Sequence, residues 1–83
     1  MNYELTQHAS DVLREREIAV EWVERVLKNP LKVEPDEEDE ALEHRLGKIS
    51  EHGDRVLRVI VNTHIDPMRV ITVYFDRALK GKL

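Results

Sequence analysis

The stretch Val56 to Phe75, VLRVIVNTHIDPMRVITVYF, constrains the fold more than any other part of this chain. Two runs rich in β-branched residues, Val56 to Val61 and Val70 to Phe75, flank Asn62, Thr63, Asp66 and Pro67, residue types that make turns. The pattern predicts an antiparallel hairpin at the centre of a sheet. Leu57, Val59 and Val61 share one face of the first strand, while Val56 and Ile60 share the other with Arg58 and Asn62. The first face is fit for a core. The second is half polar and suits a partly covered groove or a binding surface.

Upstream the period changes from two to that of a helix. Thr6 is a plausible N-cap, and Ala9, Val12, Leu13 and Arg16 follow at helical spacing. After a corner at Glu17 and Ile18, the positions Ala19, Trp22, Val23, Val26 and Leu27 predict a second amphipathic helix, ended by Asn29 and Pro30. Leu31 to Glu34 reads as a short strand closed by Pro35, and Ala41 to Ile49 as a second strand in which Gly47 is a candidate bulge. The expected fold is therefore α+β, with two N-terminal helices packed on one face of a four-stranded antiparallel sheet. A chain of 83 residues makes a single domain. At ordinary stabilities per residue its folding free energy is roughly 4 to 12 kcal/mol.

Composition excludes several chemistries. No cysteine is present, which removes thiolate nucleophiles, disulfides and the usual structural zinc sites. No run has the length of a membrane-crossing helix and the first residues, MNYELTQHAS, lack a basic segment followed by an apolar one, so a cytoplasmic protein is expected. The acidic run Asp36 to Glu40 lacks the glycine and alternating oxygens of a calcium loop. His44, His52 and His64 lack the paired spacing of a zinc site. Neither a metal nor a cofactor is expected.

Charge is unevenly distributed. Residues 1 to 55 carry 8 Lys and Arg against 15 Asp and Glu, a balance of -7, and residues 56 to 83 carry 5 against 2, a balance of +3. The net charge of -4 is unfavourable for nucleic acid, yet the C-terminal hairpin offers a local basic surface.

The succession LTQHASDVLREREI, VLKNP, RLGKI, VLRVIVN and RVITVY resembles a family of uncharacterised small bacterial domains related to the BrnT and RelE toxins. The resemblance spans nearly the whole chain, with Glu17 standing where the family usually shows glycine. It implies a RelE-like fold, metal-independent cleavage of RNA, and an antitoxin protein as partner. Such cleavage needs a base, an acid and cations around the phosphate. Carried over by resemblance, His8, Arg45, Lys48 and Tyr74 are the candidate catalytic residues, with Arg58 and Arg69 as candidate phosphate ligands. Arg45 is expected to join Arg58, Thr72 and Tyr74 on the open face of the sheet. The competing expectation is a non-enzymatic module that binds a protein through its open sheet face or an edge strand. The sequence leaves the oligomeric state open.

Overall fold

The computed structural model describes residues 2–83. Strand β1 (Tyr3–Leu5) leads into helix α1 (Gln7–Glu15) and helix α2 (Val20–Lys28). Strands β2 (Lys32–Pro35), β3 (Leu42–Ile49), β4 (Arg55–Asn62) and β5 (Met68–Phe75) follow, with 3-10 turns at Ser50–His52 and Arg77–Leu79. The five strands form one sheet in the order β1-β5-β4-β3-β2. The expected four-stranded antiparallel sheet is thus corrected to a five-stranded mixed sheet, because Tyr3–Leu5 pairs in parallel with Met68–Val70. All other pairs are antiparallel. None of the described helices is long and apolar enough to cross a membrane.

Thr6 is the joint at which β1 becomes α1. Its backbone N–H donates to the Val70 carbonyl at 3.0 Å, its hydroxyl donates to the Ile71 carbonyl at 3.0 Å, and the same oxygen accepts from the Ala9 N–H at 3.0 Å. One residue therefore ends a strand, caps a helix and fixes both to β5. Helix α1 stops in a Schellman arrangement in which the Ile18 N–H reaches the Leu13 carbonyl and the Glu17 N–H reaches that of Arg14. Glu17 holds the left-handed φ of 54° that this motif usually gives to glycine.

Both helices cover the same face of the sheet. Ala9 and Leu13 of α1 and Val23, Val26 and Leu27 of α2 pack on Leu57, Val59, Val61, Val70 and Val73. The expected bulge at Gly47 is absent, since the β3–β4 register runs unbroken from Leu42 to Ile49. Gly47 serves a close approach instead, because a Cβ there would lie 2.8 Å from a Val26 methyl. The irregularity in the sheet falls between Ile60 and Val61, against β5.

Candidate functional site

Beyond Val70, β5 leaves its pairing with β1, and the edge on that side carries no strand among the described residues. A groove of about 510 Å³ follows this edge, with α1 on one side and the 3-10 turn Ser50–His52 beyond. Thr72, Val73, Tyr74 and Phe75 all line it. Consecutive strand residues point to alternate faces, so their joint presence identifies the groove as an edge feature. His8 and Val12 come from α1, Arg16, Glu17 and Ile18 from the cap and corner that end it, and His52, Arg55 and Arg77 from the far wall.

The polar geometry is concentrated at one point. His8 Nε2 lies 3.1 Å from Thr72 Oγ1, which orients the imidazole. Tyr74 stands two residues further along the same side of β5, about 7 Å away at strand rise, and is 44% exposed. Among the described residues, Arg16, Arg55 and Arg77 make no ion pair, so three guanidinium groups in one groove have no acid paired with them. Glu15 and Glu17 line it too, leaving the cations in excess. Lys80 extends the basic surface past Arg55 and Arg77 in an adjoining depression.

Of the six residues singled out in the sequence, His8 and Tyr74 meet in this groove, and the other four lie elsewhere. Arg45 is on the helix-covered face, opposite Val59, and does not join Arg58 or Tyr74. Its Nη1 donates to the Leu27 carbonyl at 2.8 Å, at the end of α2, and its Nε donates to Glu43 at 2.6 Å. With no bulge at Gly47, Lys48 keeps the opposite parity and sits exposed across from Val56, two strands from β5. Arg69 is at the other end of β5, about 17 Å from Tyr74 by strand rise, and faces Glu4 at 3.9 Å.

Arg58 shares its side of the sheet with Tyr74, as expected, but its guanidinium is already occupied. It donates to Asp76 Oδ2 through Nε at 3.1 Å and Nη2 at 2.8 Å, and through Nη1 to Glu34 at 3.1 Å and to His44 Nδ1 at 2.8 Å. Arginine has no acceptor, so His44 Nδ1 must be unprotonated and its N–H must lie on Nε2, donating to Asp36 at 2.7 Å. Burial opposes the charge on Arg58, yet the hydrogen bonds it donates to Asp76 and Glu34 outweigh it and hold the pKa above the ordinary value. Asp36 is lowered by the hydrogen bond from His44, helped by the Asp39 and Glu38 N–H groups. The half-polar face of the hairpin is thus closed by an internal network. Leu46 and Val56 are buried on that same side.

The outer edge of β2 is poorly suited to pairing. The Asp36 N–H points inward to the Leu42 carbonyl, which in this register turns the backbone of Val33 and Pro35 outward. Pro35 has no N–H to offer and its ring occupies that position, while Lys32 and Glu34 add charge.

A sequence profile described as Domain of unknown function (DUF4258) matches residues 5–75, from the last residue of β1 to the end of β5. The chain belongs to this family. No curated protein and no solved structure matches it. The matched span of this DUF4258 domain contains His8, Arg16, His52, Arg55, Thr72 and Tyr74, and Arg77 lies just beyond it. The signals that would have found the additional groove residues were weak. Arg16 carries only helical spacing, His52 and Arg55 flank Gly53 with no motif around them, and only the basic excess after residue 55 points towards Arg77.

Proposed function

We propose that this DUF4258 domain binds RNA along the open edge of β5 and cleaves it without a metal, as a toxin-type ribonuclease. The observation that carries this reading is the groove itself: an oriented histidine, an exposed tyrosine and three guanidinium groups free of ion pairs line one concavity. In the proposed step the RNA 2′-oxygen attacks the adjacent phosphorus while His8 takes its proton. The bond from phosphorus to the 5′-oxygen breaks, and the Tyr74 hydroxyl supplies the proton to the departing oxygen. Arg16, Arg55 and Arg77 hold the phosphate oxygens as charge builds on them. The spacing of Thr72 and Tyr74 along β5 leaves room for one phosphodiester between the imidazole and the phenol. The products would be fragments ending in a 2′,3′-cyclic phosphate.

Arg45, Lys48, Arg58 and Arg69 have no part in this mechanism. The groove cations replace them. A protein antitoxin laid along the same edge would exclude RNA. That edge also supports the alternative of a non-enzymatic module, since the backbones of Val73 and Phe75, alternating with those of Thr72 and Tyr74 that face β4, are turned towards an added strand.

The test is induced expression in a bacterial host, followed by growth and bulk RNA integrity, and then incubation of the purified protein with RNA in chelator. Growth arrest with cyclic-phosphate fragments, lost in His8→Ala and in Arg55→Ala/Arg77→Ala, is the expected result. Intact RNA at high expression of folded protein would reject cleavage and favour the interaction module.

A further inference from the structure

At the far wall of the groove three aromatic rings are packed together. The His52 imidazole lies across Phe75 with centroids 4.7 Å apart and planes 33° from parallel, and Trp22 closes the cluster at 5.6 Å from His52 and 6.2 Å from Phe75. The rings differ in exposure. Trp22 and Phe75 are half-buried against the core, whereas His52 is exposed and lies at the end of its 3-10 turn. It packs beside both Phe75 and Trp22 and stays exposed to solvent.

The turn is held in place from below. Arg25 of α2 donates to both oxygens of Glu51, at 2.8 and 2.7 Å, so the residue preceding His52 is tied to the helix that carries Trp22. His52, Phe75, Arg55 and Arg77 then line the same groove. A planar ring backed by a second ring, with guanidinium groups beside it, is the combination that receives an unpaired base and its phosphate.

We propose that His52, supported by Phe75, is a base-stacking subsite that makes this groove select single-stranded over duplex RNA. The inference rests on the RNA reading above. An unpaired base stacks on the outer side of His52 while Arg55 and Arg77 hold the adjoining phosphate. In a duplex both faces of each base are already covered and the ring finds no partner.

Trp22 is the only tryptophan in the chain, so its emission reports on His52 directly. The probe is a short single-stranded oligoribonucleotide, 2′-O-methylated so that it cannot be cleaved, compared with its duplex. Binding is followed by anisotropy of a labelled strand and by Trp22 emission. The expected result is preference for the single strand with a change in Trp22 emission. Affinity should fall roughly 5-fold or more in His52→Ala and recover in His52→Phe, which keeps a ring but no imidazole nitrogen. The subsite is overturned if RNA binds the wild-type protein but His52→Ala binds equally well, if His52→Phe is as weak as His52→Ala, or if Trp22 does not respond. Absence of binding by the wild-type protein would instead overturn the RNA reading, and the subsite with it.

Discussion

Arg58 grips a single oxygen of Asp76 with two donors, Nε at 3.1 Å and Nη2 at 2.8 Å, and so fastens the segment after β5 to the middle of the sheet. The same guanidinium reaches Glu34 of β2, so one side chain joins three separate parts of the chain. Its side chain is 12% exposed and that of Asp76 18%, which leaves little water to replace a lost partner. We expect Arg58→Ala to lower stability by about 2 to 3 kcal/mol, because it strands partly buried acids. Urea unfolding measures this. A change below about 0.5 kcal/mol, the scale of an ordinary surface substitution, would show the network to be dispensable.

Arg45 provides a contrast with the groove residues. Since it ties the α2 terminus to β3 through the Leu27 carbonyl, Arg45→Ala should cost about 1 to 2 kcal/mol. Under the proposed mechanism, RNA cleavage per folded molecule should not change. Loss of cleavage at unchanged stability would instead return Arg45 to the site.

Gly47 and Val26 form a tight contact between sheet and helix. Gly47→Ala should destabilise by about 1 to 3 kcal/mol, because the added methyl meets a Val26 methyl at 2.8 Å. In the double variant with Val26→Ala the losses should fall short of their sum, as expected for neighbours sharing one space. Strict additivity in denaturant unfolding would refute the contact.

Glu17 gives the opposite sign. At φ 54° a side chain is strained, and Glu17→Gly relieves that strain while adding freedom to the unfolded chain. The net expectation is a gain of about 0.5 to 1 kcal/mol, read as a higher thermal midpoint. A lower midpoint would mean that the Glu17 side chain makes a stabilising contact in the groove.

Acid sensitivity should centre on Glu51. The hydrogen bonds from Arg25, assisted by a backbone N–H, hold its pKa at about 2 against an ordinary 4.5. A carboxyl depressed on folding contributes stability that is complete above the unfolded pKa and disappears as pH falls through the folded value. The advantage of the wild-type protein over Glu51→Gln should therefore be full above about pH 5 and shrink towards pH 2. It should also shrink with added salt, since both partners are near half exposed. Denaturant unfolding of both proteins across that range is the measurement, and a pH-independent difference would exclude the pair as its source.

The sequence alone determined those elements whose signals are local. The β4–β5 hairpin, both helices, the Thr6 cap and the helix end at Asn29 follow from alternation, helical spacing and residues with fixed backbone preferences. The pairing of Arg58, Thr72 and Tyr74 on one side of the sheet was legible for the same reason, since strand parity is a property of the chain itself. Only the tertiary structure decided the rest. Three residues of β1 carry no readable period, and they become a strand because β5 offers an edge distant in sequence. Arg45 changes sides relative to the expectation because close helix packing, rather than a bulge, explains Gly47. Which arginines are neutralised and which remain available depends on carboxylates brought near by folding. Asp76 and Glu34 reach Arg58 from remote positions, and among the described residues no acid pairs with Arg16, Arg55 or Arg77. Residue type and parity are written along the chain, but the partner that cancels a charge is chosen only when distant segments meet.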